Sequence, residues 1–488
     1  MAENTLLVET ELPLFGRKQI FSNTYNLTAE NIVAEISASL PRHLENQLCI
    51  EYLYWYRRGL QPILGKEKDV RPEINHVVVE NHADEIVAFK NGYFLTQPAF
   101  YISRSKDEGI TEKVKQLNEY LYLSGKTEVD NKITDWFHTC GTGILYVQSN
   151  DDPDVPVKVY ALDPRSAYVV YDFTPAHEPL YGVNIVMTGE QTAVFDVYTR
   201  NKVFRLSGGF RGKILTDGQP IEATPINLID VRPNPLGRVP MVEYHYNSVN
   251  MGAFEAVISL LNAINDVQSN RIDGVDQFIQ SLAVAVNCQF EEGVTANDIR
   301  QAGMIVLKSI GENKADFKIL SEQLNQGETQ VLVDYLYQQV LTICGMPSTT
   351  KGGTSTSDTM GAVLFRDGWY QADTVARNTE DLFKESNRRF DEIFIEILNK
   401  KADLGLKLAD FELQFVRNET ANLLVKTQGA LNLKQLGLSP EITLAKSGVS
   451  NDPVADVANS KPYIDKAWGN QPQETVDENI SEVSERTL

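Results

Sequence analysis

Cysteine is scarce: four residues in 488, at 49, 140, 288 and 344, too scattered for a disulfide framework and without a CxxC pair for zinc. They read as buried thiols of a reducing compartment. Basic charge is also short, with 45 Lys and Arg against 66 Asp and Glu, a formal net charge of −21. Gripping nucleic acid by neutralising phosphates takes clustered Lys and Arg, so that mode of binding is excluded. The doublets Arg57/Arg58, Arg388/Arg389 and Lys400/Lys401 stand alone, not interleaved with aromatics as a base-stacking platform would be. No window holds the roughly 18 unbroken apolar residues of a membrane helix. The first residues, Met1-Ala2-Glu3-Asn4, carry an acid where a secretory leader carries positive charge.

The marks of catalysis are missing too. Gly125-Lys126-Thr127 ends like a phosphate-binding loop, but the position five before Gly125 is Tyr120, so the glycine cradle is absent. Gly141-Thr142-Gly143 lacks the third glycine of a dinucleotide fingerprint and leads into a strand. The six histidines (43, 76, 82, 138, 177, 245) form no HExxH. His138 and Cys140, two apart on a helix, face away from each other and read as a structural histidine and a buried thiol. Acid pairs such as Asp151/Asp152, Asp381/Glu385 and Asp391/Glu392 are common in so acidic a chain and read as solvated faces. No catalytic residue, metal ligand or cofactor is expected.

What is present is 42% hydrophobic and 23% charged residues, a globular composition of a length that suggests two to four domains. Residues 1–27 read as an irregular lead-in. Helical periodicity begins at Thr28, and Pro41 is expected to open a second helix closed by Gly59. Further helices are expected at 81–90, 112–123 and 129–138. From Gly141 the period turns to two, giving strands at 144–147, 157–162, 168–171, 182–187, 193–198, 203–206 and 242–246, the pattern of an antiparallel sheet beside helices. Phe254, Val257, Ile258, Leu261, Ile264 and Val267 then return to helical spacing. Strands at 282–286, 304–307 and 317–320, with a short helix at 296–302, make a small αβ module before a second helix at 328–344. A hydroxyl-rich stretch between Gly345 and Gly361 carries one cation, Lys351, and precedes a long helical pattern to Lys401 in which Gly368 invites a kink. A strand at 411–417 and shorter helices follow. The tail 470–488 has five acids against Arg486 and reads as disordered.

The order of these parts resembles the portal proteins of tailed bacteriophages, of the type related to the SPP1 portal. Carrying the resemblance are Lys90-Asn91-Gly92-Tyr93 with Pro98-Ala99-Phe100-Tyr101, the helix-to-strand step Asp135 to Tyr146, and Leu162-Asp163-Pro164 with Val169-Val170-Tyr171-Asp172. Gly237-Arg238-Val239-Pro240 before Asn247, Gln414 to Asn418 and Leu436-Gly437-Leu438-Ser439 complete it. It extends over about residues 28–460; Asp358-Thr359-Met360-Gly361 departs from the Ser-Gly pair frequent in relatives.

The resemblance implies an α+β portal fold with an α/β wing (28–246), long stem helices (247–281 and 325–346), a small αβ clip (282–324), a tunnel loop (347–360), a long helix (361–401) and a helical crown (402–469). It implies a homo-oligomeric ring, usually of twelve copies, at one capsid vertex of the virion, assembled in the host cytoplasm. The ring nucleates procapsid assembly with major capsid and scaffolding proteins, seats the terminase, later binds head-completion or adaptor proteins, and passes double-stranded DNA without sequence specificity. It is not itself an ATPase and meets no membrane.

A conduit should hold its cargo weakly, because every neutralised phosphate adds affinity and drag. Residues 251–290 contain Glu255, Asp266, Asp273 and Asp276 against Arg271, a net of −3, so a bore lined by these acids would repel DNA and keep it centred. Thr349, Thr350, Lys351, Thr354 and Ser355 would offer transient contacts. The alternatives are a Mg²⁺-dependent nuclease or a peptidase of the packaging apparatus, and a capsid component without a channel.

Overall fold

Pro41 does not start a new helix. One helix, α1 (Ile32–Arg57), runs through it. The proline removes a backbone hydrogen bond and crowds the preceding turn, at a cost of about 3 kcal/mol. Burial on both sides holds the helix together: Ile32 and Ile36 before it, Leu44, Ile50, Leu53 and Tyr56 after it.

The structure, a computed structural model, describes residues 16–69, 72–105, 107–188, 192–209, 225–279, 282–286, 288–289, 308–309, 316–320, 326–347, 368–415, 423–450 and 453–468. The stretch from 348 to 367, the strand expected at 304–307, the helix at 296–302 and the acidic tail lie outside these residues. In chain order the strands are β1 (Ile20–Phe21), β2 (Phe100–Ser103), β3 (Thr142–Ser149), β4 (Val157–Leu162), β5 (Ala167–Tyr171), β6 (Pro179–Met187), β7 (Thr192–Thr199), β8 (Lys202–Gly209), β9 (Asn227–Pro233), β10 (Met241–His245), β11 (Leu282–Val286), β12 (Cys288–Gln289), β13 (Lys308–Ser309), β14 (Asp316–Leu320) and β15 (Phe411–Gln414). After α1 come α2 (His82–Phe94), α3 (Glu108–Leu123), α4 (Lys126–Cys140), α5 (Ile258–Ile279), α6 (Gln326–Ile343), α7 (Trp369–Lys401), α8 (Leu423–Gln435), α9 (Pro440–Ser447) and α10 (Pro453–Trp468). The architecture is α+β.

The described residues of Met1–Phe94 and Leu121–Asp403 form one compact unit; those of Leu95–Tyr120 and Leu404–Leu488 form a second. In the first unit the expected strands divide between two sheets. The larger has the order β1-β5-β6-β7-β8-β9, antiparallel except for β1 beside β5, and the smaller is β10-β3-β4. Alternation explains the larger sheet: Val183, Ile185, Phe195, Val197, Phe204 and Leu206 are buried on one face and meet Ile32, Ile36 and Leu44 of α1. β11 pairs with β14 and β12 with β13, both antiparallel.

Glycine sets two boundaries. α4 ends at Gly141, φ +86°, whose N–H bonds Phe137 O at 2.7 Å; a Cβ there would lie 1.9 Å from Asn250 O, so only glycine lets the 247–252 turn close on α4. Gly368, φ +80°, is the residue before α7 and not a kink inside it, so the long helix is 33 residues, roughly 50 Å.

In the second unit β2 and β15 pair antiparallel, Tyr101 opposite Leu413. The Asn118 side chain brackets Tyr101, accepting from its N–H and donating to its carbonyl. Residues 95–120 thus group with the later chain in this unit.

Candidate functional site on the α5–α6 pair

α5 presents Ile258, Leu261 and Ile264 to Val333, Val340 and Leu341 of α6, and the same cluster takes in Leu53, Tyr56, Ile86 and Val87 from α1 and α2. This is the stripe that helical spacing indicated.

A second stripe on α5 is polar and equally buried. Asn265, Ser269 and Asp273, four residues apart, accept the backbone N–H groups of Glu80 (2.8 Å), Val78 (3.0 Å) and His76 (2.6 Å). Four helical residues rise about 6 Å, and two residues of extended chain span about 6.6 Å, so the segment before α2 is laced to the helix rung by rung. Each rung pairs a backbone donor of the half-buried segment with a buried side chain of α5. Gln61 extends the lacing by accepting from the Asn265 amide and donating to Asn81.

Asp273 is the most heavily partnered. Lys66 and Lys68 reach its Oδ2 at 2.7 and 2.5 Å, and the His76 N–H and ring meet its Oδ1. Burial alone would raise its pKa; the two ammonium groups and the N–H outweigh burial and hold it well below the usual carboxylate range. Glu255 is the counterpart in the 3-10 turn (Glu255–Val257) that leads into the helix. Its Oε1 takes the Arg17 guanidinium at 2.7 Å and the Gly16 N–H at 3.2 Å, its Oε2 takes the Gly252 N–H at 2.8 Å, and both side chains of the pair are almost wholly buried. Arg17 also donates to Cys140 O, and its backbone is exchanged with Asn250.

These placements correct the expected acidic lining. Glu255 and Asp273 are buried and neutralised by cations brought from far up the chain, so neither offers charge to solvent. Asp266 is exposed and Asp276 partly so. The segment that Asp273 anchors was missed; three polar residues at four-residue spacing, Asn265, Ser269 and Asp273, were its visible sign in a helix that carries many other polar residues. Thr349, Thr350, Lys351, Thr354 and Ser355 lie outside the described residues.

On their outer faces the two helices leave large apolar side chains in water. Val331 is 68% and Tyr335 59% exposed on α6, where Leu332 and, about two turns further on, Ile343 are exposed too; on α5, Ile272 and Val275 line a shallow groove with Gln268 and Arg271. Asp334 accepts from Gln330, which in turn accepts from Arg271.

Elsewhere, residues that suggested chemistry are structural. Lys126 is buried against Asp130 and lies 4.6 Å from the Phe390 ring centroid, with no phosphate cradle around it. His138 meets Asn91 Oδ1 at 2.6 Å among Phe94, Phe137 and Tyr246; burial, aided by Lys90 and Arg57, holds its pKa well below the usual value. Burial pushes the Cys140 thiol up to about 12. Among the described residues no three His, Cys, Asp or Glu side chains form a metal-binding group, and no helix is long and apolar enough to cross a membrane.

Residues 42–466 match the family model described as "Phage portal protein, SPP1 Gp6-like". Among solved structures, a chain from the neck of an empty GTA particle computed with C6 symmetry is similar at 12% identity and a TM-score of 0.42, over 76% of this chain and 90% of that one. No curated protein matches.

Proposed function

This chain belongs to the SPP1 Gp6-like family of phage portal proteins, a structural family of the phage particle, and on that premise we propose that copies of it close into a ring whose bore conducts double-stranded DNA. The portal role follows from the family. The finer reading is that α5 and α6 are the stem, β11–β14 the clip, 347–360 the tunnel loop and 402–469 the crown. Twelve copies at one capsid vertex would assemble with capsid and scaffolding proteins in the host cytoplasm, seat the terminase, pass the genome inward and outward, and bind head-completion proteins, with no catalysis of their own.

The observation that supports a ring is the apolar outer surface of the α5–α6 pair. Val331, Leu332, Tyr335 and Ile343 are exposed on one helix, and Ile272 and Val275 line a groove on the other. Two unlike patches that mate between copies give a head-to-tail contact, the kind that closes into rings. Asp266 and Asp276 are the α5 acids left to face solvent, and with Lys351 they are the proposed DNA-facing charges.

The mass of the purified protein tests this. Multiples of 54.7 kDa are expected for the wild type and the monomer for Leu332→Asp combined with Tyr335→Asp; a monomeric wild type contradicts the ring. Lys351→Ala throughout the particle is expected to alter packaging or retention of DNA, and normal packaging, retention and ejection would remove Lys351 from the account.

A further inference from the structure

His82 opens α2 at the point where the laced segment ends. Its two ring nitrogens each meet a carboxylate: Nδ1 lies 2.7 Å from Glu85 Oε2 and Nε2 lies 3.1 Å from Glu80 Oε2. A carboxylate only accepts, so both nitrogens must donate, which requires the imidazolium. Each carboxylate is in turn tied to a different helix of the pair. Glu80 Oε1 accepts from Gln268 of α5, and Glu85 Oε1 accepts from the Tyr337 hydroxyl of α6 at 2.6 Å. The Tyr337 ring also lies 4.5 Å from the His82 ring.

We propose that His82 is a pH-sensitive pin: as the imidazolium it bridges Glu80 and Glu85 and thereby holds the laced segment and α2 against both α5 and α6, and on losing its proton it loosens that joint. The groups facing it are Glu80 from the laced segment, Glu85 from its own helix and Tyr337 from α6, with the neutral Gln268 behind Glu80 from α5. When the proton leaves, one nitrogen turns its lone pair toward a carboxylate, and two anions separated by a neutral ring repel each other. Burial would lower the pKa of His82, but its bonds to Glu85 and Glu80 outweigh burial and raise it, while Glu85 is lowered chiefly by its bond to His82. A raised folded-state value means that the pin contributes fully below the ordinary histidine value of 6.5 and is lost as pH rises through the raised one. The device is a property of the fold and does not rest on the portal reading.

Hydrogen exchange on the full chain tests it, corrected for the intrinsic pH dependence of exchange. His82→Gln, neutral at every pH, is expected to speed exchange of the Val78 and Glu80 amides about tenfold at about pH 6, and to match wild type within about twofold at about pH 8.5. Equal protection of variant and wild type at the lower pH overturns the proposal. Should the variant not fold, the His82 titration followed by NMR in wild type and in Glu80→Gln decides. A midpoint above 6.5 that falls in Glu80→Gln supports the pin; a midpoint at or below 6.5, or one that does not move, overturns it.

Discussion

Glu255 and Asp273 look alike in the sequence, two acids on one helix pattern, and the structure gives both the same unexpected character. Each is buried and held by partners about two hundred residues earlier in the chain: Arg17 for Glu255, and Lys66, Lys68 and the His76 N–H for Asp273. Net charge counted along a segment cannot see partners that distant, and acids are rarely buried unless paired, so a solvent face was the natural expectation and an incorrect one. Removing one partner of a buried pair costs more than the pair contributes, because the survivor is left charged and dry. Glu255→Ala is therefore expected to destabilise the first unit by about 3–5 kcal/mol in denaturant unfolding, with Arg17→Met in the same chain recovering most of the loss; a change within about 0.5 kcal/mol would show that the knot is incidental. For Asp273 the sign of the pH dependence is fixed by its lowered pKa. Its contribution is present above the ordinary aspartate value of 3.8 and is lost as pH falls through the lower folded value. The stability gap between wild type and Asp273→Asn should stay constant from about pH 7 to about pH 5 and shrink only in strong acid. A gap that closes near neutrality would contradict the clasp.

At the scale of elements, the legible parts were those whose own period decided them. The strands at 157–162 and 168–171 and the helix at 129–138 were placed within a few residues, because alternation or a buried stripe is local information. β1 and β2, two and four residues long, were missed because their partners, β5 and β15, lie about 150 and 310 residues away and no local pattern marks them. Pro41 was read by its usual meaning, and packing on both sides of it prevailed. The lacing of residues 76–80 to α5 belongs here as well. Ser269→Ala leaves the half-buried Val78 N–H without its acceptor, an expected loss of about 1 kcal/mol. Its signature is faster exchange at Val78 with little change in the sheet β5–β8; uniform exchange across the unit would mean that the rung carries no local weight.

For the whole molecule, the −21 charge and the apolar faces of α5 and α6 pull in different directions. The charge opposes any tight hold on DNA, while the exposed Val331, Leu332 and Tyr335 favour contact with another copy. The proposed ring would reconcile the two, since its subunits would bind one another firmly and DNA weakly. The family was legible from the order of loose motifs along the chain, and the match over residues 42–466 bears that reading out; which acids of residues 251–290 reach solvent was not legible, because burial had to be seen. Class averages from negative-stain electron microscopy of the purified full-length protein test the central claim most directly. The account predicts rings with a stain-filled central hole, and compact particles without a hole, at concentrations where the protein is folded, would contradict it.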